Sequence, residues 1–164
     1  MQLFDEQIWP LMMDLLNEKL SFLVRHRSTN EIVATIIAND LFLHYEKHPH
    51  DASSPASHNP MKDLFAEMPG ATRFKHLDKN LAARLRTHLC NYARDTKGFQ
   101  YAFIQTCHPA TRHIYVKNMN GKEKTIVDPA TWLWKKKDDG LSQPFKDYQG
   151  VPVVNILVKL SELE

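Results

Sequence analysis

Cysteine is scarce in this chain, with only Cys90 and Cys107 in 164 residues. One falls on a predicted helix face and the other at a strand end. A disulfide scaffold is therefore excluded as the source of stability, and a reducing compartment is the expectation. Long apolar runs are missing too: nothing approaches the roughly 18 consecutive residues of a membrane span. Neither sign of charge dominates. The 21 Lys and Arg against 19 Asp and Glu leave a formal +2, which gives no general drive towards nucleic acid. The leading MQLFDEQ is acidic and has no cleavable signal pattern, and no internal repeat recurs. These absences leave a cytoplasmic protein without membrane or nucleic-acid partners, long enough to bury a full core as one domain over residues 1–164.

The most informative stretch runs from Asn80 to Gly121. Leu81, Leu85, Leu89 and Tyr92 recur at spacings of four, four and three, with Ala82 and Ala93 beside them, which marks the apolar face of a helix. Lys97 and Gly98 end it, a cation in the last turn and then a residue that tolerates positive φ. FQYAFIQT, bounded by Gly98 and Pro109, is short and rich in aromatic and β-branched residues, so it reads as a strand. Extended segment, helix and strand in that order suggest a βαβ unit. A second helix then carries a single tyrosine, Tyr115.

Upstream, SFLVRHR and IVATIIANDLF flank a polar turn at Ser28 to Glu31, the pattern of a β-hairpin. Ile8, Leu11, Met12, Leu15 and Leu16 predict an amphipathic helix before it, with Pro10 tolerable near its first turn. Residues 46–70 hold four prolines and a Ser/Ala/His/Asn cluster, a long excursion rather than a domain boundary. Thr125 to Val127 and Thr131 to Trp134 suggest a strand pair, KKKDDG a solvated turn, and VPVVNILVKLSEL a buried strand.

These segments resemble the acyl-CoA-binding core of the GNAT N-acetyltransferase superfamily, with the flavour of its arylalkylamine N-acetyltransferase-like branch. The family's phosphate-binding pattern, Arg/Gln-x-x-Gly-x-Gly/Ala, falls with Leu77 at the first position, Asn80 at the first glycine and Ala82 at the last. The hairpin resembles the family's second and third strands. Ile114 to Met119 is similar to its Leu-Tyr-x-Lys-Leu-Gly-Phe helix, keeping the tyrosine and lysine but lacking the Gly-Phe ending. The family's first strand and first helix have no counterpart, so the expectation is an amino-terminally incomplete member or a piece of a longer product.

The resemblance implies an α/β fold with a GNAT-like mixed β-sheet flanked by helices. It also implies acyl transfer from acetyl-CoA to a small primary amine by direct attack, and it allows a homodimer. Leu77, Asp78, Lys79, Asn80, Leu81, Ala82 and Ala83 would hold the pyrophosphate. A helix amino terminus offers unpaired N–H donors and partial positive charge there, and Arg73, Lys75, Arg84 and Arg86 add cations nearby. An ordinary helix capped by Asp78 or Asn80 is the competing reading. The strand ending near Thr106 would hold the pantetheine arm by sheet-like hydrogen bonds. By resemblance, Tyr115 is the acid that protonates the leaving thiolate; read from residues alone it is a core tyrosine.

An amine nucleophile is mostly protonated near neutral pH, so a base must accept its proton. His108 at the strand end is the candidate, against the plainer reading of a solvated histidine. His113 lies two residues before Tyr115, which on a helix turns it to another face. His44, His48, His50 and Glu46 could suggest a metal, but Pro49 interrupts the helix that would present them, and no metal is expected. Cys107 would need a base and an oxyanion site to act as a nucleophile, and neither is identifiable. Trp132 and Trp134 beside Lys135 to Lys137 read as a packed face and a solvated turn rather than a nucleic-acid platform. Because Leu77 and Asn80 depart from the family pattern, a catalytically degenerate CoA or small-ligand binder stays open, as does a structural or interaction module.

Overall fold

A computed structural model describes residues 9–47, 49, 60, 64, 79–135 and 141–163. Contacts divide the chain into two units, Met1–His48 with Thr72–Phe99, and Pro49–Ala71 with Gln100–Glu164. No helix among the described residues is long and apolar enough to cross a membrane.

The first unit packs a helix on a hairpin. Helix α1 spans Trp9–Asn17 with Pro10 in its first turn, where the missing N–H costs no hydrogen bond. Strands β1 (Phe22–Arg25) and β2 (Ile32–Ile36) pair antiparallel, Phe22 opposite Ile36 and Val24 opposite Ala34. Asn30 at φ 59° makes the turn, and the His26 N–H donates to the Glu31 carbonyl at 2.8 Å. The second arm stops earlier than its apolar run suggested, because Asp40 starts a helix. Its Oδ1 accepts from the Phe42 and Leu43 N–H groups at 2.9 and 3.2 Å, opening α2 (Leu41–Lys47).

Helix α3 spans Lys79–Lys97 and lays the expected leucine stripe on the hairpin. Leu85, Leu89 and Ile36 are buried, with Phe22, Val24, Ala34 and Ala38 packed against them. Phe22 meets His88 and Tyr92 edge to face, at centroid distances of 5.1 and 5.0 Å. Gly98 ends the helix at φ 74°, its N–H donating to the Arg94 carbonyl at 3.1 Å.

The second unit is built around a three-stranded sheet. Strands β3 (Tyr101–Thr106) and β4 (Lys122–Val127) flank the central β5 (Val153–Lys159), and both ladders are antiparallel. Val153, Val154, Ile156 and Val158 of β5 are buried, as the apolar run near the carboxyl end predicts. Gln105 and Asn155 face each other across the β3–β5 ladder, and the Gln105 amide donates to Asn155 Oδ1 at 3.3 Å. Between β2 and β3 the chain carries α2 and then α3, and residues 65–78, where the expected extended segment before the helix would fall, lie outside the described residues. All ladders among the described residues are antiparallel, so no parallel βαβ pair is present among them.

The tryptophans differ from expectation in form rather than in packing. Trp132 and Trp134 are buried with Leu64 and Val153, and Phe145 stacks on Trp132 at 6.0 Å. Their segment follows a 3₁₀ turn at Pro129–Thr131 and forms no strand ladder; Trp134 instead donates its N–H to the Ser142 carbonyl at 2.8 Å. Lys136 to Gly140, and most of the excursion over residues 46–70, lie outside the described residues.

Candidate functional site

The carboxyl end of β3 opens onto a cleft of about 660 Å³ in the second unit. Local sequence builds its first wall. Thr106 ends the strand, and its Oγ1 accepts the His108 N–H at 3.1 Å. His108 is then the N-cap of α4 (Pro109–His113): its Nδ1 accepts from the Ala110 N–H at 3.2 Å, and Pro109 takes the first helical position. That hydrogen bond places the proton of the neutral ring on Nε2. His108 lines the cleft as an N–H donor, so the base role expected of it is not what the cap prepares.

The second wall is α4 and the π-helical turn that continues it, Ile114–Asn118. Arg112 and Val116, and His113 and Lys117, are each four apart, and all four line the cleft. A π turn takes in one extra residue and is common beside functional sites. A left-handed position closes the turn, five residues after Tyr115. Asn120 fills it at φ 52°, as asparagine can more cheaply than most residues. Gly121 follows, its N–H donating to the Tyr115 carbonyl at 2.8 Å.

The third wall is β4. The β4–β5 ladder passes from Glu123 opposite Ile156 to Thr125 opposite Asn155, leaving Lys124 as a bulge. Bulges bend a strand and re-aim its side chains, and Glu123 lines the cleft beside Val151 and Pro152, which lead into β5. The Arg112 guanidinium grips both of its carboxylate oxygens, with Nη2 donating to Oε2 at 2.8 Å and Nε donating to Oε1.

Hydrogen bonding from Arg112 holds the Glu123 carboxyl below its ordinary range; desolvation opposes this, and the Arg112 charge adds a smaller push in the same direction as the hydrogen bond. A lowered carboxyl contributes stability that is present above its unfolded value, about 4.3, and is lost as pH falls through its folded one. Arg112 is 42% exposed, so solvent screens the pair and its contribution is under about 1 kcal/mol. Glu123→Gln is expected to leave the thermal midpoint nearly unchanged near pH 7 and to flatten its decline below about pH 5. A variant that declines with acid as steeply as the parent would remove this pair as the cause.

Tyr115 is 2% exposed and is not among the residues lining the cleft. Thr106 and His108 line the cleft, while Lys79 to Ala83 form the first turn of α3 in the other unit. Asn80 lies inside that helix rather than at its cap, and Leu77 and Asp78 fall outside the described residues. Leu81, Ala82 and Ala83 are half-buried. Two of these three are alanines, the smallest side chains that a backbone approach to a phosphate could meet short of glycine. Sequence reading missed Arg112, Lys117 and Glu123. The four-residue spacing of His113 and Lys117 was visible, but the bulge that aims Glu123 was not.

Cys90 is buried and Cys107 exposed, both as free thiols. Burial pushes the Cys90 thiol up to about 11, so it stays protonated near neutral pH. Among the described residues, no cluster of three or more His, Cys, Asp or Glu could hold a metal ion; His48 and His50 lie outside them.

Neither a family model nor a curated protein matches the sequence. Solved structures do. The polyamine N-acetyltransferase of Drosophila melanogaster, described as forming N-acetylagmatine, superposes with a TM-score of 0.60 at 12% identity, over 92% of this chain and 79% of that one. Spermidine N-acetyltransferase SpeG of Vibrio cholerae, in a mutant form, gives 0.52 at 12% identity over 97% and 76%. The carboxyl-terminal condensation domain of Ebony, bound to β-alanyl-dopamine, gives 0.58 at 16% identity over 96% and 78%. The chain has a GNAT fold. The expected α/β class, with sheet flanked by helices, therefore stands. In this GNAT fold the cleft lies where β3 hands over to α4.

Proposed function

We propose that the chain, as a single acyltransferase domain over residues 1–164, transfers an acetyl group from acetyl-CoA to a primary amine by direct attack within a ternary complex. The observation that carries the reading is the cleft at the carboxyl end of β3, in a fold shared with N-acetyltransferases that act on amines. Among the described residues β3 pairs with a strand on one side only, which leaves an edge for sheet-like hydrogen bonds to a pantetheine arm. The first turn of α3, Lys79 to Ala83, takes the pyrophosphate on its backbone N–H groups.

In the transfer the amine nitrogen attacks the thioester carbonyl, the carbon–sulfur bond breaks, and the amide and free thiol are released. The amine gives up one proton and the thiolate gains one. His113, exposed and lining the cleft, is the base that the cleft offers in place of His108. Tyr115 keeps the acid role that the resemblance implies.

One observation favours a second reading, a CoA or small-ligand binder without turnover: Tyr115 is buried away from the cleft lining. Calorimetry with acetyl-CoA, followed by a thiol-release assay over an amine panel, separates the readings. Heat with turnover is the expected result. Heat without turnover supports the binder, and no heat at all supports an interaction module.

A further inference from the structure

We propose that the acceptor amine also carries a carboxylate, which the cleft meets with the Lys117 ammonium and the Nε2–H of His108. This inference rests on the acyl-transfer reading and specifies its substrate class. The charge inventory of the cleft carries it. Arg112 and Glu123 neutralise each other through a two-point contact, so the pair adds no net charge to the cleft. With that carboxylate committed, the cationic side chain left over in the lining is Lys117, which is exposed and has no partner among the described residues.

A second ammonium or a guanidinium on the acceptor, as in a polyamine, would meet repulsion from Lys117 and no uncommitted carboxylate among the lining residues. A carboxylate on the acceptor reverses the sign. His108 is suited to help, because its N-cap bond fixes Nε2 as the donor. His113, four residues before Lys117 and also lining the cleft, lies one turn away, so an amine beside it and a carboxylate beside Lys117 fit one small molecule. Val116, Val151 and the two prolines supply apolar lining for the acceptor's body. The class indicated is the α-amino acid, and the product an N-acetyl amino acid.

Matched pairs test this, since each differs by one carboxylate: tyramine with tyrosine, tryptamine with tryptophan, and agmatine with arginine. With acetyl-CoA and a thiol-release readout, the carboxylated member should be favoured in kcat/KM by about tenfold, the scale of one charge-assisted hydrogen bond. Lys117→Met should bring the ratio towards one, and Lys117→Arg should preserve it. Binding of N-acetyltyrosine, followed by calorimetry without acetyl-CoA, gives a readout independent of turnover, and Lys117→Glu should abolish it.

Preference for agmatine over arginine, with good turnover, would overturn the carboxylate site and leave acyl transfer standing. N-acetyltyrosine binding that depends on Lys117, in a protein that acetylates nothing, would support the site and end the acyl-transfer reading. Absence of both would end both. The anion could instead belong to the nucleotide: if Lys117→Met erases discrimination between acetyl-CoA and acetyl-dephospho-CoA, the lysine serves the 3′-phosphate and the proposal fails.

Discussion

Gly121→Ala is expected to destabilise the second unit by about 2–4 kcal/mol, lowering the thermal midpoint by roughly 5–15 °C. A Cβ at this position would lie 2.7 Å from the Tyr115 carbonyl oxygen and 2.7 Å from Ile156 Cγ2, with Val158 Cγ2 at 3.1 Å. None of these can yield cheaply. The carbonyl is backbone held by the Gly121 N–H, and Ile156 and Val158 are fully buried on the central strand. Asn120→Gly is the matching control: it touches the same turn, suits the positive φ and adds no atoms, so its midpoint should stay within a few degrees of the parent. Calorimetric scans of the two variants decide the matter, and an unshifted Gly121→Ala midpoint would refute the close approach of turn and sheet.

Tyr115→Phe is expected to cut turnover by about 10²–10³-fold while leaving acetyl-CoA affinity unchanged, the signature of a lost proton donor. The substitution keeps the ring, so the packing of a side chain 2% exposed is largely retained and only the hydroxyl is lost. Turnover and calorimetric affinity, measured on one preparation, separate this role from a structural one. Full activity with a lowered midpoint would make Tyr115 a core residue. Because Gly121 abuts the Tyr115 backbone, Gly121→Ala should also lower activity, through displacement of the turn rather than loss of the phenol.

The parts of the fold legible in the sequence are those whose signal is local. Leucines four apart and a glycine after a lysine specified α3 and its end, and a short apolar segment between glycine and proline specified β3. Strand neighbours are not local information. β5 enters the sheet from some 50 residues beyond β3, between β3 and β4, and runs against both, which no local pattern announces. The site divides in the same way. Thr106 and His108 were readable because a strand end followed by His-Pro is a local event. Glu123 was not, because its aim depends on Lys124 lacking a partner on β5. The π turn was equally hidden: one added residue changes no pattern until the left-handed position is seen at Asn120.

Asparagine followed by glycine is the dipeptide whose backbone nitrogen most readily attacks the neighbouring side-chain amide, releasing ammonia and forming a cyclic imide that water opens to aspartate or isoaspartate. At Asn120 that nitrogen is committed to the Tyr115 carbonyl and enclosed by the sheet. Chemical ageing of this bond is thereby tied to opening of the turn, so the slow appearance of isoaspartate at one position records how often the tyrosine-bearing helix lifts from the strand beneath it.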